Sequence, residues 1–269
     1  MNSLQFFNFI KTAIDTIDFA NHNSEPDRIF EHILGISFNK SILTNILIIE
    51  SHKKQVFNVI EKRKIGMPLS YIFGYEYFYG YKFMVNDSTL IPRHDSEILV
   101  NEAIKLCKSG DKVLDLCCGS GCLGLAIAKN IDIDLTLFDL NKNALKIAEK
   151  NAKLLDVKAN IICGDVFEIS LDIIENADII ISNPPYISQQ NYDNLEKQVI
   201  QFEPKMALTD NSDGLSFYKS ILKSCNLATK KPRFLLFEIG SDQANEVCGT
   251  KVIKDLAGRD RVIIVDFYI

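Results

Sequence analysis

The sequence predicts an α/β fold in which a mostly parallel, doubly wound sheet follows a small helical bundle. Three observations favour this fold. Apolar residues recur at helical spacing in the first part of the chain, alternating aromatic residues come next, and short β-branched runs alternate with helical stretches after Asp111. Ligands of such sheets bind at the carboxyl ends of the strands, so the residues that follow each strand are candidate site residues.

The first part of the chain carries the helical periodicity. Phe6, Ile10 and Ile14 recur every four residues, which places them on one face of a helix. Further helical patterns begin at Ser24 and extend over about 41–50 and 53–63. These patterns predict a helical domain over residues 1–70.

Between Tyr71 and Ile91 aromatic residues alternate with other residues, and Gly74 and Gly80 interrupt the run. Alternation with a period of two is typical of strands, so we expect a strand pair or hairpin. This segment, residues 71–91, then links the helical domain to a second domain over residues 92–269.

Short apolar and β-branched runs predict the strands of the second domain. A turn and a helical or loop segment closely follow each of the first three, which implies parallel strands joined by crossovers. The candidate strands are residues 112–116, 134–138, 160–163, 177–182, 233–239 and 261–267.

Composition narrows the classes of function. A net charge of −5 gives no general positive field that gathers nucleic acid, so we expect no stable nucleic-acid partner. Seven cysteines, an odd number without regular spacing, fit a reducing compartment rather than a disulfide framework. The sequence shows neither a signal-peptide pattern nor an apolar run long enough to cross a membrane. We therefore expect a cytoplasmic protein.

Cys117, Cys118 and Cys122 lie close together in the sequence. A zinc site needs paired Cys-x-x-Cys units or nearby histidines, and all four histidines precede these cysteines. We therefore expect no metal site and interpret the three thiols as small apolar side chains.

A glycine-containing turn, Cys117-Cys118-Gly119-Ser120-Gly121, follows the first predicted strand and precedes a helix. The two glycines let the backbone approach a ligand, although a tight turn with nothing bound fits the same residues. Residues 115–124 contain no Lys or Arg, which argues against a pyrophosphate and favours S-adenosylmethionine as the cofactor.

Acidic residues follow the next two predicted strands. Asp139 lies about twenty residues after the glycines, where a carboxylate can accept hydrogen bonds from both ribose hydroxyls of an adenosyl group. Asp165 can accept from the exocyclic amine of adenine, while Val166 or Phe167 covers a face of the base. The alternatives are that Asp139 caps the following helix and that Gly164-Asp165 is only a turn.

The tetrapeptide Asn183-Pro184-Pro185-Tyr186 follows the fourth predicted strand. Two prolines fix the backbone and remove two N–H donors, so the local carbonyls form a rigid array. The Asn183 side-chain oxygen and a proline carbonyl can accept both hydrogens of a planar amide or amino group, and the Tyr186 ring offers it a face. Such acceptors orient a weakly nucleophilic nitrogen and stabilise the positive charge that develops during methyl transfer. Alternatively, the prolines only end a strand.

These motifs resemble the class I methyltransferases that modify amino groups through an Asn-Pro-Pro-Tyr motif. Further segments are similar to the HemK/PrmC family, the protein-(glutamine-N5) methyltransferases of peptide chain release factors. They are Pro68-Leu69-Ser70-Tyr71-Ile72-Phe73-Gly74 with Phe78, Gly80 and Phe83; Leu90-Ile91-Pro92-Arg93-His94-Asp95-Ser96-Glu97; Glu238-Ile239-Gly240; and Asp255-Leu256-Ala257-Gly258-Arg259-Asp260-Arg261. The resemblance covers nearly the whole chain.

The resemblance implies a Rossmann-like sheet of seven strands whose last strand runs antiparallel. It implies methylation of the glutamine in the Gly-Gly-Gln tripeptide of release factors, which act in translation termination, and it implies that the helical domain helps to grip the factor. S-adenosylmethionine, which leaves as S-adenosylhomocysteine, is then held by Cys117, Cys118, Gly119, Ser120, Gly121, Asp139, Asp165, Val166 and Asn183. The resemblance implies that Asn183, Pro184, Pro185 and Tyr186 bind the substrate glutamine.

Some residues depart from the family pattern, and some alternatives stay open. Cys117 stands where many relatives have glycine, and His94 and Ser96 replace a usual proline and threonine. His94 is either a titrating group near the site or a histidine of a surface loop. The other functions considered are glutamine methylation of a ribosomal protein, adenine-N6 methylation of nucleic acid, and a non-catalytic partner that keeps the fold.

Overall fold

The first of two structural units is helical. A computed structural model describes residues 1–44 and 46–269, and it divides the chain into Met1–Gly74 and Tyr75–Ile269. The helices of the first unit are α1 (Ser3–Ile14), α2 (Glu25–Leu34), α3 (Phe38–Ser41), α4 (Glu50–Lys64) and α5 (Leu69–Phe73).

The core of the first unit follows the predicted helical spacing. Phe6, Ile10 and Ile14 of α1 are fully buried. The Phe6 ring lies 5.8 Å from the ring of Phe30 on α2. These rings and the aliphatic residues of α4 and α5 form one apolar cluster, which burial away from water stabilises.

A buried ion pair crosses this core. The Arg63 guanidinium of α4 donates from Nε and Nη2 to the two carboxylate oxygens of Glu25 in α2, each at 2.9 Å. Both side chains are less than a tenth exposed. The parallel two-bond geometry satisfies both charges where water cannot reach them.

The predicted helix over 41–50 is wrong for the described part of that segment. α3 ends at Ser41, and residues 42–44 and 46–49 are not helical; Asn45 lies outside the described residues. The apolar residues there do not share a buried face, because Leu43 is 87% exposed and Leu47 is 79% exposed. A helix without a buried apolar face gains little from packing.

The predicted hairpin is present but shorter than the aromatic run. β1 (Tyr75–Phe78) pairs antiparallel with β2 (Tyr81–Met84). Tyr71 and Phe73 lie in α5 instead of a strand. Leu69 and Phe73 are four residues apart, so a helix places both against the core of the first unit.

A seven-stranded sheet forms the centre of the second unit, as the family resemblance implied. The strands are β3 (Lys112–Leu116), β4 (Asp134–Asp139), β5 (Ala159–Cys163), β6 (Ile179–Ser182), β7 (Phe234–Glu238), β8 (Lys251–Lys254) and β9 (Asp260–Asp266). Their order is β5-β4-β3-β6-β7-β9-β8. The first five are parallel, and β9 runs antiparallel to both of its neighbours. All six predicted strands are confirmed, whereas β8 was not predicted.

Helices cover both faces of this sheet. They are α6 (Glu97–Leu106), α7 (Cys122–Ala128), α8 (Lys142–Leu154), α9 (Leu171–Glu175), α10 (Gln189–Tyr192), α11 (Lys197–Phe202) and α12 (Ser216–Leu227). Successive residues of β6 enter opposite cores: Ile179 and Ile181 belong to one apolar cluster and Ile180 to the other. None of the helices in the described residues is both long enough and apolar enough to cross a bilayer.

Candidate active site

One cleft lies at the carboxyl ends of β3, β4, β5 and β6. Its volume, open mouth included, is about 1030 Å³. Parallel strands place all four ends at the same edge of the sheet. The predicted site residues that line it are Cys117, Cys118, Gly119, Ser120, Asp139, Asp165, Val166, Asn183 and Pro185. Gly121, Pro184 and Tyr186 do not line it.

The glycine turn is bent by three residues in the left-handed backbone region. The φ angle is 60° at Cys117, 55° at Gly119 and 77° at Gly121. Glycine adopts this conformation without steric cost, whereas the Cys117 side chain costs about 1–2 kcal/mol there. The Cys118 N–H anchors the turn by donating to the Phe138 carbonyl at 3.1 Å. A Cβ at Gly121 would lie 3.1–3.3 Å from three apolar side chains, so Gly121 packs behind the turn.

The Asp139 carboxylate is the polar centre of the cleft. Its Oδ2 accepts from the Gly119 N–H and its Oδ1 from the Asn141 N–H, both at 2.8 Å. Burial raises the pKa of Asp139, although these hydrogen bonds oppose the shift. Each carboxylate oxygen accepts more than one hydrogen bond, so both retain capacity for a ligand hydroxyl.

Asp139 does not cap the helix that follows it. The N-cap residue of α8 is Asn141, whose side chain accepts from the Asn143 N–H at 3.0 Å. The alternative in which Asp139 fills that position is therefore wrong. Asp139 instead fixes the backbone just before the cap.

Asp165 takes part in a turn and in the cleft wall at the same time. Its Oδ1 accepts from the Phe167 N–H at 2.9 Å and opens the 3-10 turn Val166–Glu168. Val166 is buried, while Phe167 is half exposed and lies edge-on to Phe217, with ring centroids 4.8 Å apart. This corner combines one carboxylate with apolar surface, a combination that suits a flat, polar-edged base.

The Asn183–Tyr186 segment begins where β6 ends. The Ser182 hydroxyl donates to the Leu116 carbonyl at 2.8 Å and ties β6 to β3 at this point. Asn183 and Pro185 face the cleft, and the Asn183 side chain forms no hydrogen bond with residues 1–44 or 46–269. Its amide oxygen is therefore available to accept from a ligand.

Tyr186 lies on the other side of the segment. It lines a second cavity of about 1050 Å³, and its hydroxyl is 3.5 Å from Glu238 Oε1. Desolvation by burial raises the pKa of Tyr186, so the phenol stays protonated and can donate. The segment thus borders a cleft on one side and a polar cavity on the other.

Glu238 is a buried carboxyl behind this segment. Burial raises its pKa to about 7, against the opposing effects of a hydrogen bond from Ser96 and the Arg261 guanidinium. Glu238 Oε2 and Arg261 Nε have no hydrogen-bond partner among the described residues. Ser96, which lowers the pKa of Glu238, also lines the cleft.

Asp115 is a second buried carboxyl near the cleft. It is fully buried at the end of β3, and its Oδ2 accepts from the Gly124 N–H at 3.0 Å. Burial raises its pKa to about 7. Asp115 does not line the cleft, so it supports the glycine turn from behind.

Several cleft residues were not predicted from the sequence. Among them are Leu140, Arg93, Met206, Ala207 and Phe217. The Leu140 side chain is 53% exposed directly after Asp139, and an apolar residue at a strand end was the available signal. Arg93 stood in a quoted motif without an assigned role; it pairs with Glu203, whose side chain is 2% exposed. We find no sequence signal for the other three.

The cleft lining fits an adenosyl cofactor better than a dinucleotide. Its charged side chains are the carboxylates of Asp139 and Asp165 and the guanidinium of Arg93. A pyrophosphate would meet two carboxylates and one cation, whereas ribose hydroxyls, a neutral base and a cationic sulfonium suit this lining.

His94 lies at the surface, whereas Cys117, Cys118 and Cys122 line the cleft. The His94 side chain is 78% exposed and its Nδ1 is 3.1 Å from Glu97 Oε1, so the surface interpretation is confirmed. Cys118 is buried and Cys117 is partly buried, and desolvation is the chief cause that raises the pKa of both thiols. In residues 1–44 and 46–269 no group of three or more His, Cys, Asp or Glu is arranged to hold a metal.

The chain matches a family model and several curated proteins. Residues 94–211 match the methyltransferase small domain. A release factor glutamine methyltransferase of Bacillus subtilis (strain 168) is 38% identical over 76% of this chain and 77% of that protein. Proteins of the same name from Fusobacterium nucleatum and Thermodesulfovibrio yellowstonii are 35% and 33% identical. They cover 93% and 92% of this chain and 76% and 93% of their own lengths.

A solved structure supports the fold. The hMettl16 catalytic domain, in complex with MAT2A 3′UTR hairpin 6, superposes with a TM-score of 0.53 at 13% identity. The match covers 82% of this chain and 83% of that one. At this identity the likeness shows a shared class I methyltransferase fold alone.

Proposed function

This chain belongs to the release factor glutamine methyltransferase family, and on that premise we propose that it methylates the side-chain amide nitrogen of a release factor glutamine. The observation that carries the proposal is the position of Asn183 and Pro185. They line the same cleft as Asp139 and the glycine turn, so an adenosyl cofactor and a planar amide can meet there. Membership of this family and the shared cleft both support methyl transfer from an adenosyl cofactor to an amide.

S-adenosylmethionine supplies an electrophilic methyl group on a sulfonium centre. In the proposed site the Asp139 carboxylate accepts from the ribose hydroxyls, and Asp165 and Val166 contact the adenine. The backbone from Cys117 to Gly121 shapes the floor beneath the methionine part, with Gly121 acting through the turn. The acidic lining favours the sulfonium charge.

Asn183 and the adjacent prolines orient the glutamine amide. The Asn183 side-chain oxygen and a proline carbonyl accept its two N–H hydrogens, which fixes the nitrogen and stabilises its developing positive charge. Positioning contributes strongly because an amide nitrogen is a poor nucleophile. Once methylated, the nitrogen releases a proton to water, so no dedicated base is required.

The first unit contributes recognition of the protein substrate in this proposal. We assign substrate recognition to residues 1–70, linkage to residues 71–91 and methyl transfer to residues 92–269. Exposed apolar side chains on the first unit, among them Leu43, Leu47 and Phe57, support contact with a protein partner. Seven free cysteines support residence in the reducing cytoplasm. The net charge of −5 supports a protein without a stable nucleic-acid partner.

A methyl-transfer assay with labelled S-adenosylmethionine tests the proposal. The acceptors are an unmethylated release factor, the same factor with its Gly-Gly-Gln glutamine replaced, a ribosomal protein fraction and duplex DNA. We expect label only in the factor that keeps its glutamine. Label in DNA or in the ribosomal fraction, or label in none, would overturn the proposed substrate.

A further inference from the structure

The Gln243 carboxamide lies behind the Asn183–Tyr186 segment and has no assigned role. It belongs to a short turn after β7, in which the Gln243 N–H donates to the Gly240 carbonyl at 3.1 Å. The Gly240 N–H donates back to Gln243 Oε1 at 2.9 Å. The Gln243 side chain is therefore held by a hydrogen bond within its own turn, in addition to its contacts with other segments.

Both hydrogens of the Gln243 amide donate to backbone carbonyls near the site. Nε2 lies 2.9 Å from the Tyr186 carbonyl and 3.2 Å from the Gly214 carbonyl. A neutral carboxamide alone among the side chains of this size supplies two donors and one acceptor in one plane. Its geometry matches the two carbonyls and the Gly240 N–H around it, and the Tyr218 hydroxyl also donates to Oε1 at 3.4 Å.

The two carbonyls belong to segments that pack closely together. Gly214 approaches the Tyr186 carbonyl so closely that an added Cβ would lie 2.4 Å from that oxygen. The same two segments are joined by the Ile187 N–H, which donates to the Leu208 carbonyl at 3.0 Å. Gln243 bridges them next to Tyr186, the last residue of the tetrapeptide.

Tyr186 is thus held at both ends. Its phenol lies against Glu238, and its carbonyl is fixed by Gln243. The Tyr186 carbonyl and the Pro185 carbonyl belong to adjacent peptide groups, so a rotation at Tyr186 would move the acceptor array that faces the cleft. Cofactor-binding Asp139 has no contact with this bridge.

We propose that Gln243 is a positioning residue that holds the Asn183–Tyr186 acceptor array in register for methyl transfer. The inference rests on the proposed function and deepens it. Gln243 touches neither the cofactor nor the glutamine substrate; it acts through the Tyr186 carbonyl. Loss of the bridge lowers the rate of transfer while cofactor affinity stays close to that of the unaltered protein.

The test compares the full-length unaltered protein with Gln243→Glu in the release factor assay at pH 6 to 9. An ionised glutamate places negative charge against two carbonyls, while a protonated one restores a single donor. We expect kcat at pH 8 to fall at least tenfold, with the Kd for S-adenosylmethionine within about twofold. The ratio of variant to unaltered kcat should rise as the pH is lowered. A defect in folding would also weaken binding of S-adenosylmethionine, which the Kd measures.

Gln190→Glu is the matched control, since it makes the same charge change at an exposed position. If Gln243→Glu does not fold, Gln243→Met replaces it and should show the same loss of kcat without loss of cofactor binding. An unchanged kcat in either variant, or a pH-independent ratio, overturns the inference. Absence of transfer by the unaltered protein would instead overturn the proposed function.

Discussion

The Gly119 N–H donates to Oδ2 of Asp139 at 2.8 Å, although twenty residues separate the two in the chain. The carboxylate proposed to receive the ribose thereby also fixes the turn proposed to lie under the methionine part. Two motifs that are separate in the sequence form one hydrogen-bonded unit. A change at Asp139 therefore acts on the cofactor in two ways.

We expect Asp139→Ala to weaken S-adenosylmethionine binding by roughly tenfold to a hundredfold, the effect of losing charge-assisted hydrogen bonds. Isothermal titration calorimetry measures the change. Asp134→Ala is the matched control, because Asp134 is an exposed acid at the opposite end of the same strand. Equal affinities for Asp139→Ala and the unaltered protein would contradict the assignment.

We expect Asn183→Ala to lower kcat by at least about a hundredfold, as removal of a transition-state hydrogen-bond acceptor or donor does elsewhere. Cofactor affinity should change little, because the side chain acts on the accepting amide. Steady-state methyl transfer and calorimetry separate the two quantities. Asn194→Ala, at an exposed position, is the control. A kcat equal to that of the unaltered protein would exclude this role.

The buried Asp115 predicts a dependence of stability on pH. Burial raises its pKa from 3.8 to about 7, so the folded protein binds the proton more tightly than the unfolded chain does. The free energy of unfolding should therefore fall as the pH rises from about 4 to about 7, by about 1.4 kcal/mol for each pH unit in this range. Asp139 and Glu238, whose pKa values are also raised, act in the same direction.

Asp115→Asn removes the titrating group and keeps an acceptor for the Gly124 N–H. The free energy of unfolding of the variant minus that of the unaltered protein should be larger at pH 8 than at pH 5. Urea unfolding at both pH values measures the difference. An identical difference in unfolding free energy at the two pH values would show that Asp115 does not titrate in this range.

Gly214→Ala should destabilise the second unit by more than a positive φ alone explains. Its φ is 81°, and its new Cβ would lie 2.4 Å from the Tyr186 carbonyl oxygen. We expect a loss of about 2–4 kcal/mol, from backbone strain and overpacking together. Gly110→Ala is the control, since its φ is 85° with nothing within 4 Å of the new Cβ. Equal melting temperatures for the two variants would refute the packing argument.

Glu25→Ala should destabilise the first unit by about 3–5 kcal/mol, because it leaves the buried Arg63 guanidinium without its carboxylate. Thermal unfolding of the full chain measures the loss. Glu61→Ala, which removes an exposed partner of Lys64, should change stability by less than about 1 kcal/mol. Comparable losses in both variants would mean that burial of the pair is unimportant.

The sequence predicted the sheet well because its buried strands are short runs of apolar residues with clear turns between them. It did not reveal β8, since this edge strand has only two apolar residues, Val252 and Ile253, between Lys251 and Lys254, and none of the four is buried. It misplaced Tyr71 and Phe73 because a period of two and a four-residue helical spacing coincide over so short a run. Periodicity alone cannot separate them.

The residues of the candidate site that belong to short motifs next to a predicted strand could be predicted from the sequence. Asp139 ends β4, Asp165 follows β5 after one residue and Asn183 directly follows β6, so topology brings all three to one edge. Met206 and Phe217 line the same cleft from segments with no such signal, because their positions depend on how the chain between β6 and β7 folds back. Gln243 was not predicted either, because it lies in a short turn after β7 that carries no motif.

The place of β9 between β7 and β8 also orders events during synthesis. β7 cannot gain its antiparallel neighbour until residues 260–266 have left the ribosome, although β3 to β6 emerge much earlier. The first unit has its own core and can fold while the remainder is still being made. The sheet of the second unit is therefore complete only after residues 260–266 have been synthesised, later than the strands that carry the cleft.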